Sequence, residues 1–117
     1  MQAIDTSVTL DKQQFRDVTL DDPDLMREIL AALVDDTSQQ IPLIEGAIQA
    51  RDAEGCMRLA HYSKGACANV GATSAAALLK HIETRAAALE FQECSEALAA
   101  LAQQVSLLRE EARTLAV

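Results

Sequence analysis

Apolar residues recur three and four positions apart along most of the chain, which is the spacing of one face of an α-helix. The most regular run lies near the C-terminus, where the apolar positions are Phe91, Cys94, Leu98, Leu101, Val105, Leu108, Ala112 and Leu115. A second run starts at Leu25 and continues beyond Pro42 to Ile48. We predict one long helix to about residue 50, kinked near Pro42 because proline lacks an amide donor.

The N-terminal part of the chain is predicted to form a short helix, followed by the long one. The segment 11–18 has apolar residues three apart and predicts a short helix. Asp21 or Asp22 can cap the long helix that follows, with Pro23 at its first position, where proline is best tolerated.

The rest of the chain divides into three more helices. One is predicted to start near Asp52 and to end at Gly71, since glycine readily adopts the left-handed conformation that ends a helix. Thr73 or Ser74 can cap the next helix. A weakly marked break at 90–93 precedes the last helix.

These helices predict an all-α fold. Four main amphipathic helices with short connections are typical of an antiparallel up-down four-helix bundle, here with a short additional N-terminal helix. We expect residues 1–10 to be an irregular lead-in and residues 11–117 to form a single domain. The C-terminal stripe would also suit a coiled-coil dimer, but the other three stripes need a partner too, so packing within one chain is favoured.

Composition and charge limit the folds and the binding partners that are expected for this chain. Half of the residues are hydrophobic but only 3% are aromatic, which favours closely packed helices over a β-sandwich or barrel. The net charge of −8 argues against nucleic acid and anionic membranes as partners, because both attract basic surfaces. No segment has the pattern of a transmembrane span or signal peptide, so we expect a cytoplasmic protein.

Neither the cysteines nor the glycines suggest a bound cofactor or metal. Cys56, Cys67 and Cys94 are an odd number without a C-x-x-C pair, and we expect them to be small buried hydrophobic residues. No glycine-rich phosphate loop is present, so we do not expect the chain to phosphorylate itself from ATP.

The segment AHYSKGACANVG (60–71) contains Gly65 one turn after His61, although glycine inside a helix costs about 1 kcal/mol relative to alanine. On a helical wheel Leu59, Ala66 and Val70 fall opposite the histidine, with Cys56, Ser63 and Cys67 beside them, and this side is the expected core face. The histidine side holds Met57, Lys64, Gly65, Ala68 and Ala72, with Asn69 toward its edge. We predict that the small residues leave room for a bulky group to approach the imidazole.

An accessible imidazole beside an ammonium group suits phosphoryl transfer. A neutral imidazole nitrogen is a competent nucleophile near neutral pH. The phosphoryl oxygens need positive charge nearby, and Lys64, three residues after His61 on the same face, can supply it. Phosphoryl transfer depends mostly on positioning and electrostatics, so a nearly bare site is adequate if a partner supplies the remaining groups.

The segment resembles the motif of the histidine-containing phosphotransfer (HPt) family, which runs approximately A-H-x-L-K-G-x-A-x-x-x-G. The matching residues are Ala60, His61, Lys64, Gly65 and Gly71. The resemblance extends to DDPDLMREIL, to the acidic pair at 35–36 and to LLKHIE, and it covers about residues 10–116. Ser63 departs from the pattern, because the family usually has an apolar residue there; we expect its hydroxyl to bond the carbonyl of Leu59.

The resemblance implies that His61 accepts a phosphoryl group on Nε2 from the receiver domain of a hybrid sensor kinase and passes it to the receiver of a response regulator. Lys64 would stabilise the phosphoryl group, and the receiver would contribute Mg²⁺. Glu83 matches a position that often bonds the other imidazole nitrogen, where it would fix the tautomer. The docking surface would consist of Met57, Gly65, Ala68, Asn69 and Ala72.

The sequence leaves three functions open. The first is this phosphoryl carrier, a monomer that is not an enzyme by itself. The second is a helical bundle that binds and regulates a receiver or kinase without carrying phosphate, and the third is a purely structural bundle dimer. His81 lies beside Lys80 outside the motif, and we expect it to be a surface residue rather than a second phosphoacceptor or a metal ligand.

Overall fold

A computed structural model describes residues 4–115 of the chain. Residues 1–3 of the predicted lead-in and residues 116–117 of the predicted domain lie outside this range. The described part is helical, without a strand, and its helices are α1 (Lys12–Val18), α2 (Pro23–Gln49), α3 (Ala53–Val70), α4 (Thr73–Ala87) and α5 (Phe91–Leu115).

The four long helices enclose the hydrophobic core. Helix α2 packs against α3, α3 against α4 and α4 against α5, and α5 returns to pack against α2. Helix α1 lies outside this ring and contacts α3. Fully buried leucine and isoleucine side chains fill the centre, among them Leu30, Ile44, Leu79, Ile82 and Leu101.

The start of α2 follows the sequence prediction. Asp22 caps the helix by accepting hydrogen bonds from the amides of Asp24 and Leu25, and Pro23 is its first residue. The helix continues through Pro42 to Gln49. Burial of its apolar stripe on α3 and α5 stabilises the turn in which proline removes one hydrogen bond.

Helix α3 also has the predicted ends. Asp52 accepts a hydrogen bond from the Gly55 amide at 2.9 Å, and Gly71 ends the helix with φ 99°. The carbonyl of Gly71 accepts from the Asp11 amide at 2.8 Å. The left-handed glycine therefore ends α3 and also joins it to the segment before α1.

The start of α4 differs from the prediction. Neither Thr73 nor Ser74 caps the helix: its N-cap is Ala72, which makes no side-chain capping bond. Ser74 is buried, and its hydroxyl donates to the carbonyl of Val8 at 2.5 Å. This contact with the lead-in uses the group that would otherwise cap the helix. The break before α5 covers residues 88–90, slightly earlier than predicted.

The buried face of α3 is rotated relative to the prediction. Leu59, Ala66 and Val70 pack against the core but are only partly buried, whereas Ala60, which was not expected on the core face, is fully buried. The physical reason is that α3 packs most extensively against α4, which turns the buried stripe toward Ala60. The residue after it, His61, consequently lies at the edge of the α3–α4 contact.

The cysteines fit the sequence interpretation, because Cys56, Cys67 and Cys94 are all free and buried. Within residues 4–115, none of the helices is both long enough and apolar enough to cross a membrane.

Candidate functional site

His61 is exposed on α3, and 69% of its side-chain surface is accessible to solvent. Its preceding residue, Ala60, is fully buried against the core. The rigid backbone of a packed helix therefore holds an accessible imidazole.

Glu83 connects His61 to Lys64. It lies on α4 directly after the fully buried Ile82, which fixes its position beside α3. One carboxylate oxygen, Oε2, lies 3.0 Å from His61 Nδ1, and the other, Oε1, accepts from Lys64 Nζ at 2.8 Å. The sequence-predicted residues His61, Lys64 and Glu83 thus form one hydrogen-bonded cluster.

The Glu83 contact selects the tautomer of the imidazole. An ionised carboxylate can only accept hydrogen bonds, so Nδ1 carries the proton that it donates. The lone pair of the neutral ring is then on Nε2, the nitrogen that has no hydrogen-bond partner among residues 4–115. A nucleophilic nitrogen is therefore available to solvent.

Glu83 remains ionised because of its partners. The hydrogen bond from Lys64 is the largest influence and lowers the pKa of the Glu83 carboxyl, while partial burial opposes it; the charge of Lys64 and the hydrogen bond with His61 lower it further. A carboxylate next to Nδ1 also stabilises positive charge on the ring. This is the charge that the ring acquires when Nε2 forms a new bond while Nδ1 keeps its proton.

Lys64 lies in the cluster, but its ammonium group contacts Glu83 at 2.8 Å. Its side chain is 28% exposed, so it is held between α3 and α4 rather than extended into solvent. The predicted contact of Lys64 with a phosphoryl group requires its side chain to turn away from Glu83, which its flexible four-carbon stem permits.

The exposure of the residues around His61 is as predicted except at one position. Gly65, Ala68 and Asn69 are exposed and Met57 is half-buried, and a Cβ atom added at Gly65 would meet nothing within 4 Å. Ala72 is fully buried, so its placement on the docking surface was wrong. Ala72 follows Gly71, where the chain turns into α4, and the wheel of α3 no longer applies.

Arg58 and Glu54 also lie at this surface, although neither was among the predicted site residues. Together with Met57, His61 and Glu83, they line an open concavity of about 550 Å³. Arg58 is three residues before His61, the same spacing as that between His61 and Lys64, so the helical wheel contained the signal.

Ser63 does not make its expected hydrogen bond. The residue is buried, and Ser63 Oγ has no partner among the described atoms. The side chain of Ser63 faces the core, away from the imidazole, so its unpaired hydroxyl affects the stability of the fold and not the reactive group.

The second histidine, His81, is half-buried and takes no part in the cluster. In the described part of the chain, no three His, Cys, Asp or Glu side chains are grouped to hold a metal ion.

Comparison with solved structures shows a shared fold. The crystal structure of histidine-containing phosphotransfer protein B (HptB) from Pseudomonas aeruginosa PAO1 is similar over 92% of this chain and 94% of that one, with a TM-score of 0.84 and 23% identity. A structure described as a histidine-containing phosphotransfer protein from rice is similar over 92% of this chain and 79% of that one, with a TM-score of 0.81 and 22% identity. No protein with curated function matches the sequence significantly.

A family comparison covers most of the helical bundle. The sequence model of the Hpt domain matches residues 28–111, a range that includes His61, Lys64 and Glu83. It begins within α2 and ends within α5. The chain belongs to the Hpt domain family, the phosphotransfer proteins of two-component phosphorelays.

Proposed function

We propose that this protein accepts a phosphoryl group on His61 Nε2 from the aspartyl phosphate of a hybrid sensor kinase's receiver domain, and passes it to the receiver of a response regulator. The observation that carries this proposal is the contact of Nδ1 with Glu83, on an imidazole that is otherwise exposed. One ring nitrogen is held, and the other is free to react.

The transfer step forms one bond to phosphorus and breaks another. The Nε2 lone pair attacks phosphorus, the P–O bond to the aspartate breaks, and the carboxylate leaves with its electron pair. The ring then carries a phosphoryl group on Nε2 and a proton on Nδ1, so it is positively charged and is stabilised by Glu83. The reverse steps transfer the group to the next receiver, and Nδ1 keeps its proton throughout.

The remaining catalytic groups come from the receiver. We infer that its active site supplies Mg²⁺, as well as an acidic pocket and a lysine, and that this chain acts as a phosphoryl carrier without its own ATP site. Lys64 would turn from Glu83 to the phosphoryl oxygens, because a dianionic group offers it a stronger partner than a shared carboxylate.

The receiver would dock on the exposed surface around the histidine. Gly65, Ala68 and Asn69 have small side chains and leave the imidazole open, and Met57 adds apolar area. A small contact surface of this kind suits a transient complex. We further infer a cytoplasmic monomer whose domain, residues 11–117, is an antiparallel up-down bundle; the short connections and the closed ring of helix contacts support this arrangement.

Transfer of radiolabelled phosphate from receiver domains tests the proposal. Wild-type protein and His61→Gln are mixed with receivers that carry label on their aspartate. We expect acid-labile, alkali-stable label on the wild type alone, with unchanged helical content in the variant. Binding without label in the wild type would contradict the proposal and favour a docking module that carries no phosphate.

A further inference from the structure

We propose that Arg58 binds the phosphoryl group on His61 and acts as a second cation of the site, on the flank opposite Lys64. This inference rests on the proposed phosphorylation of His61. Arg58 is exposed on α3 and lines the same concavity as His61.

The geometry of α3 places Arg58 on the side of the reactive nitrogen. Arg58 and Lys64 are three residues before and after His61, so on a helix of 3.6 residues per turn they are offset from it by about 60° in opposite directions. Lys64 contacts Glu83 of α4, which means that its flank faces α4 and that of Arg58 faces away. Nδ1 also points to Glu83, so Nε2 is directed away from the Lys64 flank.

The direction of helical side chains determines which part of α3 the imidazole covers. A side chain on a helix leans toward the N-terminus and covers the turn before its own Cα. The imidazole of His61 therefore lies over the turn that contains Met57 and Arg58, in agreement with the residues that line the concavity.

The charges that line the concavity also favour Arg58 as the group that binds the phosphoryl group. The concavity is lined by two carboxylates, Glu54 and Glu83, and among its lining residues Arg58 alone has a permanent positive charge. Arg58 takes part in none of the ion pairs found within residues 4–115, whereas Lys64 is paired with Glu83. A phosphoryl group adds negative charge beside these carboxylates, and a free guanidinium can bind its oxygens through two hydrogen bonds.

The test uses a phosphodonor without a protein surface, so that contact with the phosphoryl group is separated from contact with a receiver. With phosphoramidate, Nε2 attacks phosphorus and the donor's P–N bond breaks as ammonia leaves. Wild type, Arg58→Gln and Arg58→Lys are compared. The matched control is Arg109→Gln, which removes an equal charge from α5, where Arg109 is exposed and contacts Ser38.

We expect Arg58→Gln to accept phosphate from phosphoramidate about tenfold more slowly, as for the loss of one hydrogen bond to a charged group. Arg58→Lys should fall between Arg58→Gln and wild type, and Arg109→Gln should match the wild type. A ³¹P NMR titration should find a higher pKa of the phosphoryl group in Arg58→Gln, because a nearby cation favours its dianion. Circular dichroism checks that all variants fold.

Two results would contradict this role of Arg58, and only the second would also contradict the proposed function. If Arg58→Gln reacts with phosphoramidate as fast as the wild type and is slower only with receivers, Arg58 contacts the receiver and does not bind the phosphoryl group, while the proposed function stands. If the wild type accepts phosphate from neither donor, the proposed function fails together with the role of Arg58.

Discussion

Among single residues, Glu83 gives the site a pH dependence that can be measured as stability. Lys64 and His61 both contact its carboxyl, and its pKa is lowered chiefly by the hydrogen bond from Lys64. A lowered folded-state pKa contributes stability that is complete above the ordinary glutamate value of 4.5 and is lost as pH falls through the lowered value. We expect Glu83→Gln to unfold more easily than the wild type near neutral pH and to approach it under acidic conditions.

Urea unfolding followed by circular dichroism, from about pH 7 to about pH 3, measures this difference. Glu45→Gln serves as the control, because it makes the same change at an exposed residue of α2 that takes part in none of the ion pairs found within residues 4–115. A difference between Glu83→Gln and wild type that stays constant over the whole pH range would mean that ionisation of Glu83 does not contribute.

Ser63 and Ser74 are a matched pair of buried serines with opposite hydrogen-bonding states. Ser63 Oγ has no partner, while Ser74 Oγ donates to the Val8 carbonyl. Removing an unsatisfied buried hydroxyl relieves its desolvation penalty, so Ser63→Ala should raise the free energy of unfolding by about 1 kcal/mol. Ser74→Ala should lower it by about 1 kcal/mol because it removes the hydrogen bond that the hydroxyl donates to the Val8 carbonyl. Urea denaturation measures both, and a destabilised Ser63→Ala would indicate a hydrogen bond that the static structure lacks.

The chemistry of individual residues could be predicted to different degrees. The wheel of α3 identified the exposure of His61 and Gly65, because both follow from helical spacing alone. Arg58 had the same spacing as Lys64 and was overlooked. The lack of a partner at Ser63 could not be predicted, since a serine inside a helix commonly bonds the carbonyl one turn earlier and nothing in the sequence reports the orientation of its hydroxyl.

Within the helices, substitutions at two glycines distinguish an effect on stability from an effect on receiver docking. An added Cβ meets nothing within 4 Å at Gly46 of α2 or at Gly65 of α3. Both glycine-to-alanine changes should therefore raise the free energy of unfolding by about 1 kcal/mol through helix propensity. Gly65→Arg should block label transfer from a receiver, because Gly65 lies one turn from His61, while Gly46→Arg should transfer normally. Equal transfer rates in the two arginine variants would mean that the receiver docks elsewhere.

Helix ends were predictable where the capping hydrogen bond joins residues that are close in sequence. Asp22 and Asp52 cap α2 and α3 with amides two or three residues later, so local sequence is sufficient. The start of α4 was predicted wrongly because Ser74 bonds Val8, which is distant in sequence. A tertiary contact of this kind overrides the local preference of serine for the N-cap and leaves Ala72 in its place.

For the whole molecule, the order of the helices and the buried faces of α2 and α5 could be predicted from periodicity, but the orientation of the buried face of α3 could not. The face of α3 depends on how extensively it packs against α4 and α2, and this is a property of the closed ring. The rotation toward Ala60 is what places His61 within reach of Glu83. The same ring encloses the three cysteines, which therefore report on the opening of the entire bundle.

Burial raises the pKa of Cys67 to about 11 and that of Cys94 to about 12, and it also raises the pKa of Cys56. Only the thiolate reacts with disulfide reagents, so the native protein should react only when the bundle opens. With Ellman's reagent we expect no rapid reaction at neutral pH and three thiols in denaturant. The slow native rate should rise with urea in step with the unfolding equilibrium measured by circular dichroism. One thiol that reacts quickly without urea would contradict cooperative opening, and cysteine-to-alanine variants at each position would identify the helix that opens separately.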